Sequence, residues 1–243
     1  MRKKVNLKIT NNSGGAREHR TQKRMHRTLV FASFLITLAL SASAQTEPYA
    51  GVIAGVATLS ADAGSQMTAL GLSLSSYAPA NGGALNVFAG AHLHNYFSVQ
   101  VNYIWNRNNL VLSSSSSTGT FYREARSSSQ NAGIADFLIY FRQRGSRIRP
   151  YLGTGGGITH LTSTRTRLIA SGGAPVLPPG TFSYTGPVFR SHVGIDLRLA
   201  RKLDFRYSFS ETIGHNEVSN HLSPPGPRRL ANFQNLFGFV VRF

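Results

Sequence analysis

The chain has 243 residues, of which 41% are apolar and 14% charged, values that exclude both a disordered tail and a helical membrane protein. Twenty-six Lys and Arg stand against nine Asp and Glu, a formal net charge of +17, which at first sight is the balance of a nucleic-acid binder. Cysteine is absent, so disulfides, thiolate metal sites, cysteine nucleophiles and a lipidated bacterial N-terminus are excluded together.

The charge is unevenly placed. Met1 to Ala44 hold nine basic residues and one acidic, a net +8, while the other 199 residues hold 17 basic and eight acidic, a net +9. A basic stretch to Arg27 precedes thirteen mostly apolar residues, Thr28 to Leu40, and then Ala42-Ser43-Ala44 before Gln45. That order is that of a cleavable secretory signal peptide, with the cut expected between Ala44 and Gln45. The apolar run falls short of the ~18 residues of a spanning helix. Met25 begins a conventional signal by itself and is an alternative start. Either way the basic arm leaves with the leader, and the case for a nucleic-acid partner weakens with it. The expected division is a leader over 1–44 and an exported domain over 45–243.

Beyond Pro48 no window keeps a helical period, whereas period-two alternation recurs, so the exported domain is expected to be all-β. In chain order the predicted strands are Tyr49 to Leu59, Ala84 to Leu93, Phe97 to Leu112, Tyr122 to Phe141, Tyr151 to Arg167, Phe189 to Leu199, Leu203 to Ser210 and a last strand over Phe233 to Phe243. The connections alternate. Ser60 to Gly83, Ser113 to Thr120, Ala170 to Gly180 and Ile213 to Pro227 are long; His94 to Tyr96, Arg142 to Arg147 and Ala200 to Lys202 are short. In an eight-stranded antiparallel up-and-down sheet all four long connections then share one end.

Parity fixes two registers, because facing residues of an antiparallel pair point to the same side. A three-residue turn after Leu199 pairs Leu199 with Leu203, Leu197 with Phe205, Ile195 with Tyr207 and Val193 with Phe209. The same register sets Arg198 against Asp204 and Asp196 against Arg206. Around His94 to Tyr96 it pairs Leu93 with Phe97, Ala91 with Val99, Ala89 with Val101 and Val87 with Tyr103.

Alternation alone also fits a soluble sandwich or a lipocalin-like barrel. Three features favour the inverse arrangement in a membrane, with the apolar face outward. Phe97 to Leu112 spans sixteen residues, beyond the ~9 to 11 that cross a bilayer. Tyr49, Tyr96, Phe97, Trp105, Tyr151, Phe182 and Tyr184 lie near strand ends, as interfacial girdles do. The sequence reaches Phe243 inside an amphipathic strand. Together the leader, the eight strands, Arg149-Pro150-Tyr151-Leu152-Gly153-Thr154-Gly155-Gly156-Gly157 and Phe233 to Phe243 resemble the small eight-stranded outer-membrane β-barrels, the family of the outer-membrane protein A transmembrane domain and the opacity proteins. The resemblance implies a transmembrane β-barrel in the outer membrane of a Gram-negative-type bacterium, with outer-membrane lipid and the barrel assembly machinery as partners. It also implies an assembly signal on Phe239, Val241 and Phe243. The peptidoglycan anchoring of two-domain members is not implied.

An eight-stranded barrel has room inside only for side chains. Asp136, Arg190, Asp196, Arg198, Asp204, Arg206, His92, His160 and His192 are expected to share that space. They form either a plug of mutually satisfied charges, the preferred reading, or a gated polar pore. Gly153 to Gly157 lacks the following helix and Lys-Ser/Thr pair of a phosphate loop. For catalysis the best constellation is Glu211, His215, Glu217, Ser219 and His221, which on a continued strand would suit a lipid A hydrolase; no third orienting group is fixed, and Pro224 and Pro225 oppose the strand. No cofactor is expected. Scattered histidines such as His92 and His94 have no metal-ligand spacing. Arg142, Arg144, Arg147 and Arg149 are expected as a solvated basic turn. The expected function is structural or adhesin-like, through four surface loops with an unidentified ligand; a narrow porin-like channel is the alternative, and a lipid A-modifying hydrolase the second.

Overall fold

The computed structural model describes residues 46–243 apart from 62–63, 69–70, 117–118, 171–176, 216, 223 and 226–228. The leader, Met25 and the Ala44–Gln45 junction lie outside the described residues. The strands are β1 (Glu47–Ala61), β2 (Ser65–Thr68), β3 (Gly71–Pro79), β4 (Gly82–His92), β5 (Phe97–Ser116), β6 (Gly119–Tyr140), β7 (Ile148–Ala170), β8 (Thr181–Ala200), β9 (Leu203–His215) and β10 (Arg229–Arg242), with one turn of helix, α1 (Glu217–Asn220). Every pairing is antiparallel. β1 pairs with both β4 and β10, so the sheet closes on itself. β3 continues the line of β4 along β5, which leaves an eight-strand ring with β2 as a short flap on β3.

The two registers deduced from parity are present. Ala91 faces Val99, Ala89 faces Val101 and Val87 faces Tyr103; Leu197 faces Phe205, Ile195 faces Tyr207, Val193 faces Phe209, Asp196 faces Arg206 and Arg198 faces Asp204. The expected Leu199–Leu203 pair is not made. Leu203 faces Ala200, and the register shifts between Arg198 and Ala200, so a bulge at Leu199 and a two-residue turn replace the three-residue turn.

Residues of the apolar parity face outward. Val101 is 63% exposed and Phe237 59%, whereas Arg206 is 1% exposed, an inversion that suits lipid outside and a polar interior. The girdle expectation needs correcting at Tyr49, Tyr151 and Phe182, which are buried within the barrel because they fall on the inward parity of their strands.

The long connections differ from expectation. Ser60 to Gly83 contains β2 and β3, and the serine run from Ser113 extends β5 to Ser116. β5, β6 and β7 are 20, 22 and 23 residues long, about twice the bilayer requirement, so paired sheet continues past the apolar belt. There the polarity reverses. Leu59, Leu110, Leu112, Leu161, Phe182 and Leu230 point inward and pack with Val218 and Leu222 from the last long connection. The upper barrel is thus built like a soluble β-protein, and its mouth is stoppered by an apolar cluster.

One inward-facing glycine of β7 and one outward-facing glycine of β6 test this wall directly. A Cβ on Gly157 would stand 1.9 Å from the Gly133 carbonyl oxygen, and one on Gly133 would meet nothing within 4 Å. Gly157→Ala is expected to cost about 1–3 kcal/mol through backbone displacement, whereas Gly133→Ala leaves stability nearly unchanged. Urea unfolding of the refolded barrel, followed by its heat-dependent gel mobility, measures both.

Candidate functional site

The interior is built in layers by the inward residues of successive strands. Nearest the short turns, Arg242 Nε lies 3.0 Å from Asp204 Oδ2, with Glu47 at 3.7 Å and the half-exposed Arg198 3.9 Å from Asp204 Oδ1. Arg149, expected in a solvated turn, is instead buried at 2% exposure. Its guanidinium lies over Tyr140 at 3.9 Å and donates to Asn95 O at 3.3 Å, because its parity turns it into the barrel mouth. Arg142 and Arg147 are exposed. Arg144, half-buried, donates to the carbonyls of His92 and His94 at 2.8 and 3.3 Å, and burial lowers its pKa from the ordinary arginine value.

Above them Arg206 is the central node. It donates to both carboxylate oxygens of Asp196, at 2.6 and 2.7 Å, to the Tyr140 hydroxyl at 2.9 Å and to Gln100 Oε1 at 3.0 Å. Phe88 and Tyr151 lie 4.9 and 5.0 Å from its guanidinium carbon, so the cation has both a bidentate anion and aromatic faces. Gln100 donates to Asn102 Oδ1 at 2.8 Å, and Asn102 donates to Asp136 Oδ2 at 3.0 Å. Asp136 also receives Arg190 at 2.8 Å and faces His192 Nε2 at 3.3 Å. Side chains at Gly153 and Gly155 would collide with His192 and Asp136 at 2.1 Å, so the glycine run makes room for this node.

A layer of amides follows. Gln234 donates to Asn106 at 3.1 Å, Asn106 to Gln130 at 3.3 Å, Asn232 to Gln130, and Ser210 to Gln234 at 3.1 Å. Level with the apolar stopper, on the rows of Leu110 and Leu112, lies a cluster that sequence reasoning missed. Arg126 binds Glu124 at 2.6 Å and donates to the carbonyls of Pro179 and Gly180, while Arg165 binds Glu124 at 2.7 Å and donates to Pro178. The third long connection is therefore held down by two cations. A register shift between Ala125 and Arg126 changes the facing of β7 only beyond Arg165, which turns Arg167 outward.

His92 is buried and bonded to Ser98 at 2.5 Å. His160, expected inside, faces outward and contacts Thr185 and Thr162, because odd residues face inward along this part of β7. The constellation imagined on a continued strand is divided: β9 ends at His215, and Glu217 opens α1. Glu217 nonetheless lies 3.4 Å from both His215 Nε2 and His221 Nε2; the Ser219 side chain lies outside what is described. Among the described residues no three His, Cys, Asp or Glu are placed to hold a metal ion.

The Arg206–Asp196 pair gives a direct test. Arg206→Ala leaves an uncompensated buried carboxylate and is expected to cost about 3–5 kcal/mol. The D196A/R206A double variant is expected to recover much of that loss, as read from urea midpoints of the folded barrel.

The family of outer membrane protein beta-barrel domains matches this chain over residues 28–223. Among solved structures, Neisserial surface protein A is 16% identical with a TM-score of 0.50, covering 81% of this chain and 97% of its own. OprG of Pseudomonas aeruginosa is 12% identical with a TM-score of 0.47, covering 83% and 98%. Ail, the attachment invasion locus protein of Yersinia pestis, is 10% identical with a TM-score of 0.42, covering 81% and 99%. No curated protein matches the chain. The closed inverted barrel, the match over most of the chain and the shared fold with Neisserial surface protein A make one assignment: this chain belongs to the outer membrane protein beta-barrel domain family, which implies the Gram-negative outer membrane.

Proposed function

We propose that this barrel is a surface-contact protein, structural or adhesin-like, and neither a channel nor an enzyme. The observation that carries the reading is the continuation of paired sheet above the membrane belt on β5, β6 and β7 around an interior that described side chains cross in ion-pair, amide and apolar layers. A strand extension of this kind presents a stiff, pre-organised surface to the exterior, which loses little conformational freedom on contact. Serines and threonines recur in its outer rows beside Asn109 and outward arginines, a polar, adaptable composition of the kind found in contact surfaces. Export through the leader over 1–44, with cleavage after Ala44, and assembly through Phe239, Val241 and Phe243 belong to the same proposal. Those three side chains lie on the lipid-facing side of β10 and the residue after it, open to an assembly partner.

The filled interior opposes conduction. An ion crossing the barrel would have to part the Arg206–Asp196 and Arg190–Asp136 pairs and then enter the apolar stopper, each step carrying a desolvation cost. Folded protein in planar bilayers is expected to give no resolvable single-channel steps; regular steps from the purified barrel would restore the pore.

Adherence tests the main reading. Bacteria expressing the full chain are expected to bind cultured epithelial monolayers in excess of the vector control. A variant shortened between Asn109 and Ser127, which keeps the membrane-spanning rows, is expected to lose that excess while still giving the folded band. Equal adherence of the full chain and the vector, or of the full and shortened barrels, overturns the proposal.

A further inference from the structure

The outer wall of β5, β6 and β7 carries a trough that the fold does not require. Two cross-strand rows form it, Tyr103–Gly133–Ile158 and Val101–Ala135–Gly156. Gly133, Ala135 and Gly156 make its floor, with Val101 and Tyr103 on one side and Ile158 on the other; its volume is about 670 Å³. Gly133 needs neither a left-handed backbone nor close packing, since a Cβ there would enter open space, and one on Gly156 would make only an ordinary 3.6 Å contact. The recess lies on the lipid-facing surface and falls in the size range of small-ligand sites.

The trough ends upward in a polar row. Asn131 accepts a hydrogen bond from the Tyr103 hydroxyl at 2.8 Å, and beside it His160 contacts Thr185 at 2.7 Å. One row higher Arg107 faces outward opposite Ser129, and farther up the same face Arg123 and Arg167 line a second recess of about 330 Å³. Among the described residues none of these three arginines has a carboxylate partner, although Arg126 and Arg165, inside the same strands, share Glu124. β1, β2, β3, β4, β8 and β9 carry no Lys or Arg toward the long-connection end. One sector of the barrel therefore combines an acyl-sized recess at membrane level with unpaired cations above it.

We infer that this sector binds an outer-leaflet lipid that carries phosphate above several acyl chains, the class of lipid A. An acyl chain fills the trough over Gly133, Ala135 and Gly156, a phosphate meets Arg107 just above the polar row, and the outer anionic headgroup reaches Arg123 and Arg167. Cationic side chains next to the membrane surface attract anionic lipid, and guanidinium matches phosphate bidentately. A second copy of the chain fits the sector less well. A two-fold contact through this face would bring like patches together, setting arginine against arginine.

Native mass spectrometry of the full chain, folded in detergent and titrated with diphosphoryl lipid A, phosphatidylglycerol or inorganic phosphate, tests the inference. A one-to-one lipid A adduct is expected, with phosphatidylglycerol about tenfold weaker and inorganic phosphate not retained. Filling the trough with G133L/A135L, or with A135L alone if the double variant folds poorly, is expected to weaken the lipid A adduct about tenfold, a loss of about 1.4 kcal/mol. R107A/R123A/R167A is expected to abolish the preference over phosphatidylglycerol. Undiminished lipid A binding by a folded trough-filled variant, equal binding of phosphatidylglycerol by the native chain, retention of inorganic phosphate alone, or a native dimer that the trough variants dissolve would each overturn the inference.

Discussion

In lipid no water is available to satisfy a backbone N–H or C=O, so a spanning sheet must close. The β1–β10 pairing, which runs from Tyr49 opposite Arg242 to Ala61 opposite Leu230, meets that requirement here. Closure makes side-chain parity global: a residue's odd or even place on one strand decides whether it faces acyl chains or the barrel axis, and each neighbour is locked to the same choice. The apolar residues of the wall, the buried ions and the position of every functional group follow from it. Closing eight strands also leaves an interior too narrow for bulk water, so charged residues turned inward need protein partners.

The interior answers that need in graded layers. Arg206 and Arg190 each hold an aspartate, Gln100 and Asn102 join the two ion pairs, amides cross the next level, and Glu124 binds two arginines beside an apolar stopper. Removing a single partner from such a network leaves a buried charge exposed to low dielectric, which is more damaging than removing the pair. The layers therefore act as mutual constraints on the sheet, and they stiffen the extension that β5, β6 and β7 raise above the belt. Cross-links of this kind among the described residues are what favours the proposed contact at the outer end over transport through the axis.

Much of this was legible in the sequence because alternation is a local property. Val87 opposite Tyr103 and Asp196 opposite Arg206 follow from turn length and parity. The bulges at Leu199 and after Ala125 were not legible, since one extra residue leaves no compositional mark. The same limit hid the outward turn of Arg167, since Arg165 before the shift keeps the inward parity of Tyr151 and Leu161. Arg149 was misread for another reason: a basic cluster at a turn reads as solvated, and Tyr151, which shares its parity and is buried with it, reads as an interfacial aromatic. One signal was present and passed over. On β5 the apolar parity is odd from Phe97 to Trp105 and even at Leu110 and Leu112, and that change of phase marks the level at which the strand leaves lipid for water.

The glycines of β6 and β7 separate two kinds of constraint that look alike in sequence. Gly153 and Gly155 are small because His192 and Asp136 occupy the space a side chain would need, and Gly157 because the neighbouring strand's backbone does. Gly133, which faces the outside, has no such reason within the protein. In a wall where Val, Ile, Leu and aromatic residues alternate with a few small ones, an unforced glycine beside Ala135 and Gly156 lowers the surface, and what it accommodates must come from the surrounding membrane. The three outward arginines pose the same question in charge: among the described residues nothing in the chain neutralises them. Shape and charge are both incomplete on one sector of one wall, and a single amphiphile with an acyl tail below and phosphate above would complete both.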